Sequence, residues 1–535
     1  MNYIDYLIIA TYLIGFLFLG YLFKKNKSSN DYFLGGRSIG WGPLTLSTMA
    51  TQLSAISFIS APAFVGLKQG GGLQWLTFEF GVPLAMAFLM IAIVPTLYKS
   101  GIVSVYEYLE NRFDASSRLL ISIVFQISRS VAAGVMIYTM ALILQSAFGI
   151  DFWISILIIG VITLIYSFQG GMKAVIWGDV IQMIILFLGI IICLFYGINE
   201  LGGIENFVKY VDKERITAVD FNKWGFNNIN KDDEFGFWPM VIGGFFLYAS
   251  YYGTDQTQSQ RLLSAKNMKT IKKLLFANAF FRFPITFIYC IMGLVLGTLF
   301  FQDVSFQESI NDVYQSNISS LQGKKADLMV PVFITNYLPN GVIGILIIAI
   351  MSAAMSSLSS AINSLSAVTM EDFVKRFNPN ISDKKYVLNS RFFSLFWGLI
   401  CLFFAFLTGN IEGTVIEVIN KIGSVFYGPI LGAFILAIMT KKTHALGANI
   451  GIISGVCFNI YLWLYVPDIF WFWWNAIGCF ITVSIGILIS QIIKRKINQA
   501  KDVIYFAGIK DIVLLIFYFF IIVSLSIYLP KLFFN

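Results

Sequence analysis

Met351-Ser352-Ala353-Ala354-Met355-Ser356-Ser357-Leu358-Ser359-Ser360-Ala361-Ile362-Asn363-Ser364 lies inside a long apolar segment, where a helix at membrane depth is expected. It carries six serines and an asparagine where a lipid-facing helix would carry Leu or Ile. Ser356, Ser359 and Ser360 stand at i, i+3 and i+4, so their hydroxyls share one face, with Ser357 at its edge. Hard cations take oxygen ligands, and hydroxyls beside freed backbone carbonyls can replace the water shell of a sodium ion. Small residues also let helices pack closely, and Ser hydroxyls bond the preceding turn. On this stretch alone, ion binding and close packing both stand open.

The surroundings are those of an all-α polytopic membrane protein. Of 535 residues, 57% are hydrophobic and 12% charged, and the mean hydropathy is +0.76. Apolar runs long enough to cross a bilayer recur along the chain, without the period-two alternation of a barrel. The net charge of +8 does not point to nucleic acid, because it comes mainly from the loops of one side. Cys193, Cys290, Cys401, Cys457 and Cys479 all fall in apolar segments and form no CxxC motif. The single histidine, His444, reads as a loop residue, so a Ser–His dyad or a His-rich metal site is hard to build.

About 14 transmembrane spans are expected, at roughly 4–22, 44–66, 73–97, 118–148, 153–170, 175–198, 237–260, 274–301, 341–370, 389–408, 413–439, 446–466, 470–491 and 509–529. The first begins almost at Met1 with no A-x-A cleavage signal and reads as retained. Most of the 37 Lys and Arg residues fall in alternate loops, among them Lys24, Lys25, Arg37, Lys266, Lys269, Lys272, Lys273, Lys384, Lys385, Lys441, Lys442 and Arg495. The positive-inside rule makes those loops cytoplasmic and puts both termini outside the cell membrane. Two long outer loops, about 199–236 and 302–340, carry no apolar core of their own and read as solvated loops or as the cover of a vestibule.

Ionisable groups at membrane depth each need a reason. Glu417 and Lys421 stand at i, i+4 and read as a structural pair. Asp255 and Arg282 lie near inner span ends, where they can snorkel. Glu79 is a possible partner for Arg129. Arg129 can alternatively grip a substrate carboxylate through two parallel hydrogen bonds. Asp179 is either an interfacial residue or, near the serine face, a charged cation ligand. Two mid-span stretches are polar, Thr48 to Ser57 and Tyr248 to Gln256, in the second and seventh spans. Irregular backbone at membrane depth is tolerated where it lines a cavity, and paired broken helices five spans apart suit two inverted five-helix repeats.

Phe33-Leu34-Gly35-Gly36-Arg37, Gly170-Gly171 with Ala174 to Gln182, Tyr252-Gly253 to Gln260-Arg261, and Met355-Ser356-Ser357 to Thr369-Met370-Glu371-Asp372 jointly resemble the sodium/solute symporter family over nearly the full chain. The resemblance implies a core of two inverted five-helix repeats with broken first helices, at 44–198 and 237–439. The flanking parts are then 1–43, the outer loop 199–236, and three extra helices in 440–535. It implies a main sodium site from backbone carbonyls of Ala50, Leu53 and Ala353 and hydroxyls of Ser356 and Ser357. The second sodium site of some members, sialic acid transporters included, is matched by Asp179, Ser356, Ser359 and Ser360. The sugar branch carries a Glu-Gln pair where this chain has Ile56 and Ser57, which argues against a galactose-like substrate. Thr369 to Asp372 and Tyr252-Gly253 look more like the multivitamin, monocarboxylate and iodide branch. Gln52, Ser54, Ser57, Gln74 and Arg129 are the expected substrate residues, with Tyr251 as inner gate.

The expected function is sodium-coupled import of a small organic anion by alternating access, by a monomer and without enzymatic activity. The alternatives are a sodium- or proton-coupled sugar or polyol transporter and a transporter-like sensor. A membrane enzyme would need a nucleophile–base pair or a metal triad at depth, and the sequence offers neither.

Overall fold

The computed structural model describes residues 2–24, 28–53, 55–227, 233–316, 324–407, 414–493, 495 and 508–534. The chain is all-helical and spans the membrane repeatedly. Among the described residues, eleven helices are long and apolar enough to cross a bilayer, and twelve if one bent pair counts as a single span. The expected spans that fall short are the fifth and the seventh. The fifth is a shorter apolar helix, Phe152–Ile165, and the seventh is cut by polar residues.

The elements that build the site are, in order, α1 (Tyr3–Leu22), α2 (Trp41–Gln52), α3 (Ala55–Gly66), α4 (Ala115–Phe148), α5 (Phe152–Glu200), α6 (Phe237–Gly253), α7 (Gln256–Leu263), α8 (Met268–Gln302), α9 (Val342–Val368), α10 (Asp383–Leu407) and α11 (Val415–Met439). The helices Ala445–Tyr465, Trp473–Ile492 and Ile509–Phe534 follow as α12 to α14. The fifth and sixth spans together form α5, which turns at Gly171 with φ 58° and ψ −152°. A Cβ there would meet the Tyr32 carbonyl at 2.6 Å, so the turn requires glycine.

Both expected breaks are present. α2 and α3 meet at 55°, and Leu53 has left helical geometry at φ −81°, ψ 79°. α6 ends where Ser250 O accepts the amides of both Thr254 and Asp255, at 2.8 and 3.1 Å. Asp255 then caps α7 by accepting the Thr257 amide at 2.8 Å. Neither break contains a proline. The first follows Thr48 and Thr51, whose hydroxyls donate back to Leu44 O and Ser47 O at 2.6 and 2.8 Å, and the second is set by Ser250 O and the Asp255 side chain.

α3 and α8 cross with almost no side chain between them. A Cβ on Gly66 would lie 2.4 Å from Gly293 O, and one on Gly293 would lie 2.6 Å from Pro62 O. Gly293 and Gly297 are four apart, the small-xxx-small spacing of close membrane crossings. The long loop after α5 packs onto this end of α3. Arg215 Nη1 donates to the carbonyls of Val65 and Lys68 at 3.1 and 2.9 Å, and Leu73 N donates to Arg215 O at 2.7 Å. That loop is therefore docked rather than simply solvated.

Gly293→Val should lower the apparent melting temperature of the purified protein, since overpacking such a contact costs about 1–3 kcal/mol. Gly15→Val, where a Cβ meets nothing within 4 Å, should leave it unchanged.

Candidate functional site

α9 carries the serines against α2 and α5. Asp179 of α5 is fully buried rather than interfacial. Its Oδ1 accepts the Ser356 hydroxyl at 2.6 Å and its Oδ2 the Ser47 hydroxyl at 2.5 Å. Thr51 and Ser360 hydroxyls lie 3.4 Å apart. These contacts set the carbonyl end of α2, with Ala50 and Leu53, alongside Ser356 and Ser360. Ala353 is buried one turn before Ser357. The Ser357 hydroxyl oxygen is buried with no hydrogen-bond partner. A buried polar atom without a partner asks for a ligand, and a sodium ion among these oxygens would satisfy it.

The Asp179 group also holds Arg261, which the positive-inside pattern assigns to a cytoplasmic loop but which is buried inside α7. Arg261, 1% exposed, donates from Nη2 to Asp179 Oδ2 at 2.7 Å and to Ser360 Oγ at 2.5 Å, and from Nε to Ser47 Oγ at 2.7 Å. Three of the four proposed second-site residues, Asp179, Ser356 and Ser360, are therefore gathered in one network. Ser359 instead donates back to Ser356 O at 2.9 Å. The signal was an arginine inside a fully buried helix, which at membrane depth demands a carboxylate.

Beside Ser357 opens a cavity of about 120 Å³, bounded by both broken helices, α4, α8, α9 and α11. Of the residues singled out for the substrate, Gln52, Ser57, Arg129 and Tyr251 line it. Ser54 lies outside the described residues. Gln74 does not reach the cavity. Its amide folds back onto Gly70 O at 2.5 Å in a separate outer pocket with Asp212 and Arg215, while Trp75 and Phe78 of the same 3₁₀ segment turn to the cavity instead. Among the described lining residues the charged ones are Arg129 and Arg282. The Tyr252 hydroxyl donates to Gln52 Oε1 at 2.5 Å.

Four expected charge assignments change. Arg129 pairs with Asp255, not Glu79, and lies over the Tyr251 ring at 5.4 Å. Glu79 holds Arg282 with Nε and Nη2 at 3.1 and 3.0 Å, and takes Thr286 Oγ1 at 2.9 Å. Asp255 and Arg282 do not snorkel. They are 3% and 2% exposed, because an ion pair inside removes the need to reach water. Glu417 pairs with Lys68 rather than Lys421, because its carboxylate points back to cap Thr414 at the start of α11. Lys421 lies over Trp463 and Trp474 at 5.5 and 5.7 Å. Arg282 was missed as a cavity residue. Its Nη1 makes no hydrogen bond.

Comparison with known proteins gives the family. The sodium:solute symporter family model matches residues 32–455. Sodium-coupled monocarboxylate transporter 1 of Xenopus laevis is 32% identical over 466 residues, 86% of this chain and 71% of that protein. The sodium/iodide cotransporter of Homo sapiens is 30% identical over 447 residues, 83% of this chain and 67% of that protein. Among solved structures, a Na+-coupled sialic acid symporter in a substrate-bound outward-open state aligns with TM-score 0.80 at 26% identity. That alignment covers 94% of this chain and 100% of that one.

Ser357→Ala should raise the sodium concentration for half-maximal thermal stabilisation about tenfold or more, since a hydrogen-bonding or ligand contact to a charge contributes roughly 1.5–3 kcal/mol. Ser352→Ala, whose hydroxyl already bonds Tyr12, should leave that concentration unchanged.

Proposed function

We propose, for a chain that belongs to the sodium:solute symporter family, that it carries a small organic or inorganic anion across the cell membrane together with two sodium ions. Sodium is the coupling ion, and the chain is a transporter rather than an enzyme. The observation that carries the substrate class is the cavity. Both charged groups among its described lining residues are arginines, and the acids that balance them, Asp255 and Glu79, pair with them. Its size of about 120 Å³ is well below the roughly 300–1,000 Å³ of drug-sized sites. That favours a solute of lactate or iodide size over a large sugar acid. The relatives named for monocarboxylate and iodide support the same class.

In this reading, sodium enters the set of Ala50, Leu53, Ala353, Ser356 and Ser357 and ties the break in α2–α3 to α9. A second sodium ion uses Asp179, Ser356, Ser359 and Ser360. The anion then sits against Arg129, Gln52 and Ser57, with Tyr251 below. Repeats 44–198 and 237–439 exchange access around it in a monomer with both termini outside. Two sodium ions with one monoanion move one net positive charge. That is about 2.3 kcal/mol per 100 mV, enough for accumulation on the order of fifty-fold before the sodium gradient is counted.

The test is thermal stabilisation of the purified protein by L-lactate, iodide, N-acetylneuraminate and D-glucose, each in sodium and in potassium. L-lactate or iodide should stabilise only with sodium, and Arg129→Gln should abolish the effect. Stabilisation by glucose alone would sink the anion reading. In proteoliposomes, uptake should carry inward positive current, and electroneutral uptake would reduce the count to one sodium ion.

A further inference from the structure

We propose that α7 is shut by two ion-pair latches of opposite polarity, one released by the substrate anion and the other by a sodium ion. Only both ligands together then free it. The inference rests on the anion symport reading above and deepens it.

All eight residues of α7 are buried, and in the chain it lies between Tyr251, which lines the cavity, and the lysine-rich loop that follows it. It carries an acid at its N-cap, Asp255, and a base in its last turn, Arg261. That placement suits its own dipole. The surrounding helices present the complementary charges. Arg129 of α4 holds Asp255, and Asp179 of α5 holds Arg261 at 2.7 Å. The contacts between these ends are neutral hydrogen bonds, such as Gln258 Nε2 to Thr48 O at 3.1 Å and Gln260 Nε2 to Phe33 O at 2.6 Å. Each contributes far less than is lost when a buried charge is left without its partner.

Both scaffold charges are also ligand groups. Arg129 lines the cavity, and its Nε is buried with no hydrogen bond. Nε and the second hydrogen of Nη2 form the two-pronged edge that a carboxylate takes. An anion there puts two negative groups on one guanidinium in a poorly solvated site, and their repulsion loosens Asp255. At the other end, a sodium ion entering among Asp179, Ser356 and Ser360 puts two cations on one carboxylate and loosens Arg261 in the same way. Sodium alone leaves the Asp255 latch closed. The anion alone leaves the Arg261 latch closed. Each ligand acts only through its preference for the released state. Asp255 is thus a positioning residue that acts through Arg129.

The experiment uses the full chain with Cys457, the exposed cysteine among the described residues, replaced by serine. A reporter, Ser264→Cys, stands at the buried C-cap of α7. N-ethylmaleimide labelling is followed in potassium and in sodium. Without anion, the reporter protein should stay protected in both. Asp255→Asn keeps a good N-cap residue but removes the charge. It should stay protected in potassium and label about tenfold faster in sodium alone. Arg129→Gln should behave the same way, since it opens the same latch from α4. Asp255→Asn with Arg261→Gln should label in potassium. A single cooperative melting transition in potassium, above the labelling temperature for every variant, serves as the folding control. Protection of Asp255→Asn in sodium would overturn the first latch, and equal labelling in both salts would overturn the second. L-lactate or iodide with sodium should expose the reporter when both latches are intact. Silence in that arm alone would reject the anion as the releasing ligand, while the sodium-only response of Asp255→Asn would still uphold the latches.

Discussion

A charge that cannot reach water must find its opposite, and that constraint organises the centre of this molecule. Arg129, Arg261 and Arg282 stand at membrane depth, and each is answered by a carboxylate from another element: Asp255, Asp179 and Glu79. None of the three pairs joins neighbours in sequence. Each ties together parts of the chain that hydrophobic packing alone would leave interchangeable. Among lipid-facing helices, apolar surface offers little to distinguish one partner from another. The ion pairs supply the register that the apolar faces lack.

The same pairs explain how polar backbone survives inside the protein. α7 is short, buried throughout and rich in Gln, Thr and Ser. Its amides and side chains are met by α2, α9 and the loop around Val103 to Tyr106, including Gln256 Oε1 with Val105 N at 2.9 Å. A helix of this composition has no place against lipid. It is stable only inside a ring of partners, and so it belongs beside a cavity rather than at the perimeter.

Much of this was legible in the sequence. The long apolar spans, both breaks and the serine face could be read because periodicity and hydropathy are local properties. The cavity residues Gln52, Ser57 and Arg129 were found for the same reason, since a polar side chain in an apolar run has few explanations. The charge partners were misassigned because partner choice is a tertiary fact. Glu417 and Lys421 have ideal spacing on one helix, yet the N-cap at Thr414 competes for the carboxylate and Lys68 arrives from the turn after α3. Gln74 was misplaced because a 3₁₀ segment repeats every three residues, so its inward face falls on Trp75 and Phe78 rather than where α-helical phase would put it.

The glycine crossing of α3 and α8 sets a mechanical limit. Gly66, Gly293 and Gly297 bring two backbones into contact with no side chains to reshuffle. Such a joint behaves as a weld. It has no alternative rotamers through which one helix could slip past the other. α3 therefore travels with α8 as a single beam, and any change in the angle of the first broken helix must be taken up at its break, beside the proposed sodium ligands. A force applied to the beam from the outer loops is thus delivered to the break, the one point of that helix where an ion held at the proposed site would resist it.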